Sequence, residues 1–281
     1  MIQVNDKDAL RVVMRGYRSN AESTAFVPTL GNLHDGHLSL VRKAKEVADR
    51  VIVSIFLNPT QFDKPEDLDA YPKTLENDLA LLARENVDLV FLPTSNEMYP
   101  DGGTTYVEVG GISEILEGDS RPGHFSGVAT VVAKLFNLVQ PDISVFGQKD
   151  FQQLMLIQRM VADLDFGIDI IEAPTAREES GLAMSSRNNY LSFEQRDLIA
   201  PNLYKEMQLI KNAILQGQRD YVALQKSTTI SLEKHGFKPD YIEIRNANDL
   251  SVAKTDDENL VVLASAWLGK ARLIDNITLD L

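Results

Sequence analysis

The feature that most constrains the fold is a regular alternation of short apolar runs with helical patterns over the first 175 residues. The runs are rich in β-branched and aromatic residues, which favours strands; they are TAFVPT (24–29), VIVSIFLN (51–58), VDLVFLP (87–93), ISVFGQ (143–148) and IDIIEAPT (168–175). Between them, stretches such as HLSLVRKAKEVA repeat apolar residues at helical spacing. This alternation predicts an α/β domain in which helices cover a parallel sheet.

The pattern changes in the last third of the chain. Two long amphipathic stretches, 193–215 and 221–236, precede the strand-like runs DYIEIRNA and NLVVLASAWL. With 281 residues the chain exceeds what one core usually organises, so we predict a smaller α+β domain that starts near residue 177. The polar, irregular segment 177–188 is expected at the domain junction, where ligand clefts often form.

Composition excludes several classes of function. A formal charge of −13 disfavours binding to a long nucleic acid, which needs a basic face. The absence of cysteine excludes disulfides, thiolate zinc sites and thiol nucleophiles, and it is compatible with a reducing cytosol. We also expect no signal peptide in the first 20 residues and no membrane span.

The stretch TLGNLHDGH (29–37) holds two of the four histidines. It follows a predicted strand and precedes a predicted helix, so it should lie at the carboxyl end of the sheet, where α/β proteins bind ligands. Gly31 and Gly36 allow a nucleotide close to the backbone. His34 and His37 share one face of a helix N-terminus, which attracts anions. We expect phosphate contact first, helix capping second and metal ligation third.

Two further stretches end strands with polar side chains. FLNPTQF carries Asn58 and Gln61, whose amides can donate and accept at once and so suit a small hydroxy acid; taken alone, an Asx-type turn is the better interpretation of Asn58. In FGQKDFQQL, Lys149 follows a strand and Gln153 lies on the first turn of the next helix, while helix capping alone explains Asp150.

The segment MSSRN (184–188) combines hydroxyls, successive N–H groups and a guanidinium, which together suit a pyrophosphate. By itself this composition is that of an ordinary turn. His124 beside Arg121 opens another predicted helix, and a capping role and a substrate-side role are equally expected for it.

These motifs together resemble a known family. HDGH resembles the HIGH signature of the nucleotidyltransferase superfamily. The wider stretches resemble the pantothenate synthetase family, and they stand in that family's order: VPTLGNLHDGHLSLVRKA, SIFLNPTQF, YPKTLENDLALL, FGQKDFQQL and MSSRNNYLS. The chain departs from the family at Leu30, usually methionine, at Asn32, usually alanine, and at Asp35, often glutamate. These departures leave the histidines and glycines intact.

The resemblance implies ATP-dependent ligation of (R)-pantoate and β-alanine to pantothenate, through a pantoyl adenylate and with release of AMP and pyrophosphate. It implies Mg²⁺ with the ATP, a cytoplasmic location and a homodimer, in which TTYVEVG is an interface strand or, equally, an internal one. Residues 1–176 would form a Rossmann-like nucleotide- and pantoate-binding domain, and residues 177–281 a smaller C-terminal α+β lid domain.

The resemblance also assigns site residues. The catalytic residues it implies are His34, His37, Lys149 and Arg187. Those implied for pantoate and β-alanine are Asn58, Gln61 and Gln153. Those implied for ATP are Leu30, Gly31, Asn32, His34, Gly36, His37, Gly147, Gln148, Lys149, Asp150, Ala176, Met184, Ser185, Ser186 and Arg187. The Mg²⁺ ligands are unassigned; Asp78 is a weak candidate, since a solvated helical charge is the better interpretation of it.

Two other functions fit parts of this pattern. A nucleotidyltransferase that stops after transferring AMP or CMP is compatible with the first motif, but Asn58, Gln61 and Gln153 favour a small hydroxy acid. A nucleotide sensor with a decayed site is disfavoured by the intact basic residues.

Overall fold

The chain forms two compact units, and each unit contains two separate stretches of the sequence. The first unit contains Met1–Gly147 and Gln152–Ala173, and the second contains Pro174–Leu281 together with the short segment Gln148–Phe151. The four residues 148–151 therefore belong to the second unit although both of their neighbours along the chain belong to the first.

A parallel sheet forms the centre of the first unit. In the computed structural model, which describes residues 1–63 and 65–281, six parallel strands pair in the order β1-β4-β3-β2-β5-β6. They are β1 (Ile2–Val4), β2 (Thr24–Thr29), β3 (Arg50–Ile55), β4 (Leu89–Phe91), β5 (Ile143–Gly147) and β6 (Asp169–Ala173). All five predicted strands are present, and the predicted fold class is confirmed. The sequence does not predict β1, which has only three residues, two of them exposed.

Helices connect the strands. Those of the first unit are α1 (Lys7–Ser19), α2 (Asp35–Val47), α3 (Pro65–Asp69), α4 (Leu75–Arg84), α5 (Ser95–Met98), α6 (Glu117–Ser120) and α7 (His124–Val139), and α8 (Phe151–Asp163) lies in it from residue 152 onward. The helix α7 is buried along most of its length. Val131 and Val132, each 5% exposed, belong to the core, as their apolar character predicts.

The order of the strands creates a switch point in the middle of the sheet. Strand β2 pairs with β3 on one side and with β5 on the other. The chain continues outward from β3 to β4 and, in the opposite direction, from β5 to β6. In open α/β sheets the crevice at the carboxyl ends of such strands binds ligands. Leu30 begins the loop that follows β2 at this edge.

The second unit is α+β, as predicted. Its antiparallel sheet has the order β7-β8-β9. Its longer elements are α9 (Pro201–Leu215), α10 (Tyr221–Lys234), β7 (Lys238–Asn246), β8 (Asn259–Leu268) and β9 (Ala271–Asp280). The amphipathic stretch 193–215 is not one helix, because a π-helical segment, Gln195–Ile199, precedes α9.

One predicted strand is absent. The segment TTYVEVG (104–110) lies outside every strand in the part of the chain that the structure describes. Tyr106 is exposed, and the main-chain N–H of Val107 donates to Thr130 Oγ1 on α7 at 2.9 Å. A side-chain hydroxyl thus takes the N–H that a neighbouring strand would use, so the internal-strand interpretation is wrong. Pairing across an interface stays a prediction.

Within residues 1–63 and 65–281, none of the helices combines the length and the apolar character that crossing a membrane requires.

Candidate active site

The loop after β2 ends in a helix start that the two histidines form. His34 is the N-cap of α2, and its Nδ1 accepts a hydrogen bond from the main-chain N–H of Gly36 at 3.1 Å. His37 Nδ1 in turn accepts from the main-chain N–H of His34 at 3.4 Å, which completes a reciprocal capping box. The capping role that the sequence ranked second is therefore present.

Capping also determines the tautomers of both rings. A neutral imidazole has one donor and one acceptor nitrogen. Since Nδ1 of His34 and of His37 accepts from the main chain, Nε2 carries the proton in each ring. The ring centroids are 4.1 Å apart, and both residues are half-buried. The helix start therefore supplies two neighbouring N–H donors beside the dipole of α2, an arrangement suited to phosphate oxygens.

Asp78 on α4 holds the loop that precedes the histidines. Its Oδ2 accepts from the main-chain N–H of Asn32 at 2.9 Å, and its Oδ1 accepts from that of Leu33 at 2.8 Å and from Thr74 Oγ1 at 3.1 Å. Its side chain is 1% exposed. The expectation of a solvated helical charge is therefore wrong: a buried carboxylate persists here because N–H and O–H donors satisfy it. With its oxygens so occupied, Asp78 is poorly suited to ligate Mg²⁺.

Backbone geometry explains two residues of the loop. Gly31 has a φ of +87°, and a Cβ there would lie 3.1 Å from Ile55 Cγ2 and 3.2 Å from Asp78 Oδ2; a larger residue would be both strained and crowded. Asn32 has a φ of +52°, which asparagine tolerates better than most residues. Asn32 Nδ2 is buried and has no hydrogen-bond partner among the described residues. Tyr71 donates its hydroxyl to the carbonyl of Gly31 at 3.3 Å.

The amides of Asn58 and Gln61 hydrogen-bond to each other within one turn. Asn58 is fully buried, and its Oδ1 accepts from Thr60 N at 3.4 Å, which is the Asx-type turn. Its Nδ2 donates to Gln61 Oε1 at 3.1 Å and to the carbonyl of Gly127 at 3.2 Å. Both N–H groups of Asn58 are therefore used inside the protein. Because Gln61 Oε1 is the acceptor in this pair, Gln61 Nε2 is left as the donor for a ligand.

Two neighbours keep this turn in place. Tyr99 donates its hydroxyl to Asn58 Oδ1 at 2.9 Å, and burial raises the pKa of the phenol, so it stays a donor. On α7, a Cβ at Gly127 would lie 2.3 Å from the carbonyl oxygen of Thr60 and 2.7 Å from Gln61 N. Only glycine permits this approach of helix and turn.

His124 connects to the same turn. Its Nδ1 donates to the carbonyl of Gln61 at 2.8 Å, so its Nε2 carries the lone pair, and Arg121 Nη1 approaches that atom at 3.2 Å. Arg121 also pairs with Asp63, with 3.5 Å between Nε and Oδ1. His124 is the first residue of α7, while Gly123 is its N-cap. The geometry therefore gives His124 a side-chain contact with the main chain of Gln61, which the resemblance assigns to the substrate, rather than a capping role.

Adjacent glutamines on α8 differ in their contacts. Gln153 is half-buried and is on the first turn, as predicted. Gln152 is 4% exposed; its Nε2 donates to the carbonyls of Ile112 and Ile115 at 2.7 and 2.8 Å, and its Oε1 accepts from Glu117 N at 3.1 Å. Sequence reasoning missed this support of the 112–117 segment, because only the burial of Gln152 distinguishes it from its neighbour.

In the second unit, a 3₁₀ turn, Gln148–Asp150, directly follows Gly147, the last residue of β5. The side chain of Lys149 is 19% exposed and lies 3.7 Å, Nζ to Oδ2, from Asp150, whose side chain is 49% exposed. This separation is too long for a strong hydrogen bond, so most of the donor capacity of Lys149 remains for a ligand.

The segment that carries MSSRN folds within the second unit. The carbonyl of Ala176 accepts from Met184 N at 2.9 Å, and Ser185 Oγ accepts from Arg187 N at 3.2 Å, as in the turn that the composition predicts. Ser186 and Arg187 are half-buried. Among the described residues, the guanidinium of Arg187 has neither a hydrogen bond nor an ion pair.

The structure thus brings the predicted residues into two groups. In the first unit these are the loop and helix start (Leu30, Gly31, Asn32, His34, Gly36, His37), the amide turn (Asn58, Gln61), Gly147 and Gln153. In the second unit they are Gln148, Lys149, Asp150, Ala176, Met184, Ser185, Ser186 and Arg187. Within the described parts of the chain, no three His, Asp or Glu side chains cluster as ligands for a metal ion.

Comparison with known proteins assigns the chain to a family. The family model described as pantoate–β-alanine ligase matches residues 3–278. Pantothenate synthetase from Thioalkalivibrio sulfidiphilus is 51% identical over 283 residues, which cover 100% of this chain and 99% of the relative. The corresponding protein from Methylococcus capsulatus is also 51% identical, over 99% of this chain and 98% of the relative.

Solved structures agree with this assignment. A crystal structure of pantothenate synthetase from Thermus thermophilus has a TM-score of 0.92 at 42% identity and covers 99% of each chain. That of the ligase from Francisella tularensis, complexed with β,γ ATP and β-alanine, has a TM-score of 0.82 at 38% identity, over 99% of this chain and 97% of that one.

The parallel sheet and its H-x-G-H helix start are those of an α/β ligase. The chain belongs to the pantoate–β-alanine ligase family. Membership confirms the predicted activity, the ATP-dependent ligation of pantoate and β-alanine, over transfer of a nucleotide alone and over a sensor.

Proposed function

We propose that the chain performs this ligation through a pantoyl adenylate and that different groups of the residues described above bind ATP and pantoate. The carboxylate of pantoate attacks the α-phosphate of ATP, and pyrophosphate leaves. The amine of β-alanine then attacks the acyl carbonyl, and AMP leaves. No protein nucleophile takes part, so the side chains act by positioning and by neutralising charge.

His34 and His37 act on the phosphates in the first step. The observation that carries this proposal is that Nδ1 of both rings accepts from the main chain, which makes Nε2–H of each a donor. Because the same bonds begin α2, both donors are held before ATP binds, and little reorganisation is needed as charge builds up on the leaving group. Asn32 Nδ2, a buried donor without a partner among the described residues, supports the contact of this loop with ATP.

Lys149, Ser185, Ser186 and Arg187 bind the phosphates from the second unit. Lys149 and Arg187 carry the positive charge, and the hydroxyls and successive N–H groups of the MSSRN turn complete the set. Their support is that neither cation is consumed by a close ion pair in the described chain. The remaining predicted ATP residues are Gln148, Asp150, Ala176 and Met184 in the same unit and Gly147 in the first unit.

Pantoate is bound by Gln61 and Gln153. Gln61 Nε2 donates to its oxygens, since Asn58 occupies Gln61 Oε1. Asn58 does not contact pantoate itself, because both of its N–H groups already donate to protein acceptors. We therefore assign the pantoate contact to Gln61 and Gln153 and the orientation of Gln61 to Asn58.

Mg²⁺ would enter with ATP. In proteins Mg²⁺ commonly keeps several waters and is held by phosphates with one or two carboxylates. The described residues include no group of three His, Asp or Glu side chains that would enclose a metal ion. When bound, the ion neutralises charge on the phosphates; the protein side chains hold the phosphates themselves.

Three further expectations remain proposals. The resemblance supports a homodimer, which light scattering of the purified protein tests. A cysteine-free chain that consumes ATP suits the cytoplasm, and fractionation of cells tests this. The lid role of residues 177–281 is tested by protection of that region from hydrogen exchange when ATP and pantoate are added.

The test of the function is exchange of labelled pyrophosphate into ATP with and without pantoate, followed by measurement of AMP on addition of β-alanine. We expect exchange only with pantoate, and release of AMP and pantothenate only with β-alanine. Exchange without pantoate, or AMP release that β-alanine does not change, would contradict the adenylate route.

Variants test the assigned roles in the same assay. Lys149→Ala should slow pantoate-dependent exchange by about 100-fold, the scale of losing one preorganised electrostatic contact. Lys211→Ala is the matched control, because Lys211 also lies in the second unit and its Nζ donates to the carbonyl of Thr278 at 3.0 Å. Equal rates for the two variants would remove Lys149 from the mechanism.

A further inference from the structure

A buried asparagine on β9 contacts the backbone of the lysine turn. Asn276 is 5% exposed, and its Nδ2 donates to the carbonyls of Gln148 and Lys149, each at 2.8 Å. One amide group thus satisfies two consecutive carbonyls, and 127 residues of chain separate Asn276 from Lys149. All three residues belong to the second unit.

An ion pair orients this asparagine. Asp275 is 4% exposed and receives two hydrogen bonds from Arg177, at 2.6 Å from Nη1 to Oδ2 and at 2.9 Å from Nη2 to Oδ1. Asp275 Oδ1 also accepts from the main-chain N–H of Asn276 at 2.8 Å. The guanidinium of Arg177 lies over the ring of Tyr204, 3.6 Å from its centroid. Such a bidentate, stacked pair gives the segment a defined orientation.

The contact matters because little else directs Lys149. Its ammonium has only the distant carboxylate of Asp150, at 3.7 Å, as an ion-pair partner among the described residues. The direction of its long side chain is then determined mainly by its backbone, that is, by the two peptides that flank its Cα. Asn276 Nδ2 holds the carbonyls of both peptides, those of Gln148 and Lys149, and so restricts them.

We infer that Asn276 is a positioning residue for Lys149 in adenylate formation, oriented for this by Asp275 and Arg177. The inference rests on the proposed role of Lys149. Loss of the two hydrogen bonds lets the 148–150 turn shift, and a shift of about 1 Å at a reacting group can cost about 100-fold in rate. Binding of pantoate by Gln61 and Gln153 is not affected.

The experiment compares Asn276→Ala, which removes both donors, with Asn276→Ser, which keeps one hydroxyl donor. Steady-state pantoate-dependent exchange gives kcat and the KM for pantoate, and urea unfolding gives the folded fraction. We expect kcat per folded molecule to fall by roughly 10- to 100-fold in Asn276→Ala and by less in Asn276→Ser, with the KM for pantoate changed less than about 3-fold.

The matched control is Asn202→Ala. Asn202 lies in the same unit, and its Nδ2 also donates to two consecutive carbonyls, those of Leu198 and Ile199, at 3.2 and 2.9 Å. This variant should lose stability but keep its kcat. If Asn276→Ala, or Asn276→Ser should the alanine variant not fold, loses activity only in proportion to its unfolded fraction, the role is purely structural and the inference is wrong.

A double-mutant cycle with Lys149→Ala separates the two proposals. If Asn276 acts through Lys149, Asn276→Ala should add little to the defect of Lys149→Ala. An equal fold-loss from Asn276→Ala in the wild-type chain and in the Lys149→Ala variant would overturn the inference. A wild-type rate in Lys149→Ala itself would instead overturn the proposed role of Lys149.

Discussion

Replacement of Asp78 by asparagine tests how the phosphate loop is held. The carboxylate accepts three hydrogen bonds, two of them from the main-chain N–H groups of Asn32 and Leu33. In Asp78→Asn the amide oxygen can keep Leu33 and Thr74, but the NH₂ group then faces the N–H of Asn32. One bond to a charged acceptor is lost, and a buried donor is left without a partner.

The expected loss of stability is about 1.5–3 kcal/mol, the value of a hydrogen bond to a charged group. The expected loss of rate is larger than stability alone explains. Asn32 is two residues before His34, so a shifted loop moves both histidine donors, and a displacement of about 1 Å can slow adenylation by about 100-fold. Urea unfolding measures the first effect, and pantoate-dependent pyrophosphate exchange measures the second.

Asp142→Asn is the matched control. Asp142 Oδ2 also accepts a main-chain N–H, that of Thr24 at 2.7 Å, together with the Thr24 hydroxyl at 2.8 Å, but at the amino end of the sheet. It should lower stability and leave kcat unchanged. If Asp78→Asn keeps the wild-type kcat per folded molecule, the carboxylate serves only the fold, and the reasoning that links it to the histidines is refuted.

Two other substitutions separate chemistry from folding. His37→Ala should slow adenylation by about 100-fold or more. It should cost about 1 kcal/mol of stability, the value of a helix cap. His235→Ala, at the exposed end of α10, is its control, and unchanged adenylate formation in His37→Ala would contradict the assignment. Gly127→Ala should lower the free energy of unfolding by about 1–3 kcal/mol, because the new methyl group overpacks against Thr60, and it should raise the KM for pantoate. If a crystal structure of this variant shows the Asn58–Gln61 turn in its original position, the close approach of helix and turn does not require glycine.

Much of the fold could be predicted from the sequence because buried parallel strands are continuous apolar runs. TAFVPT and NLVVLASAWL coincide with β2 and β8. Strand β9 was not predicted from the sequence because Asp275 and Asn276 occupy buried positions in it. Polar residues in the middle of a strand interrupt the apolar pattern from which strands are predicted.

The candidate site was predictable where one short stretch holds all of its parts. HDGH contains the capping atoms and the donors together. The roles of Asp78 and Asn276 depend instead on partners 45 and 127 residues away along the chain. A carboxylate that accepts main-chain N–H groups has no signature of its own, and on an amphipathic helix it looks like any solvated acid.

The membership of residues 148–151 in the second unit limits how this protein can be divided. A fragment that begins at Pro174 would retain β9 and its ion pair but would lack the two carbonyls that Asn276 Nδ2 contacts. The amide that is buried in the whole chain would then lose both of its protein acceptors. When the C-terminal units of two relatives are exchanged, the chimaera should therefore fold best if residues 148–151 are exchanged as well, as a second replaced segment.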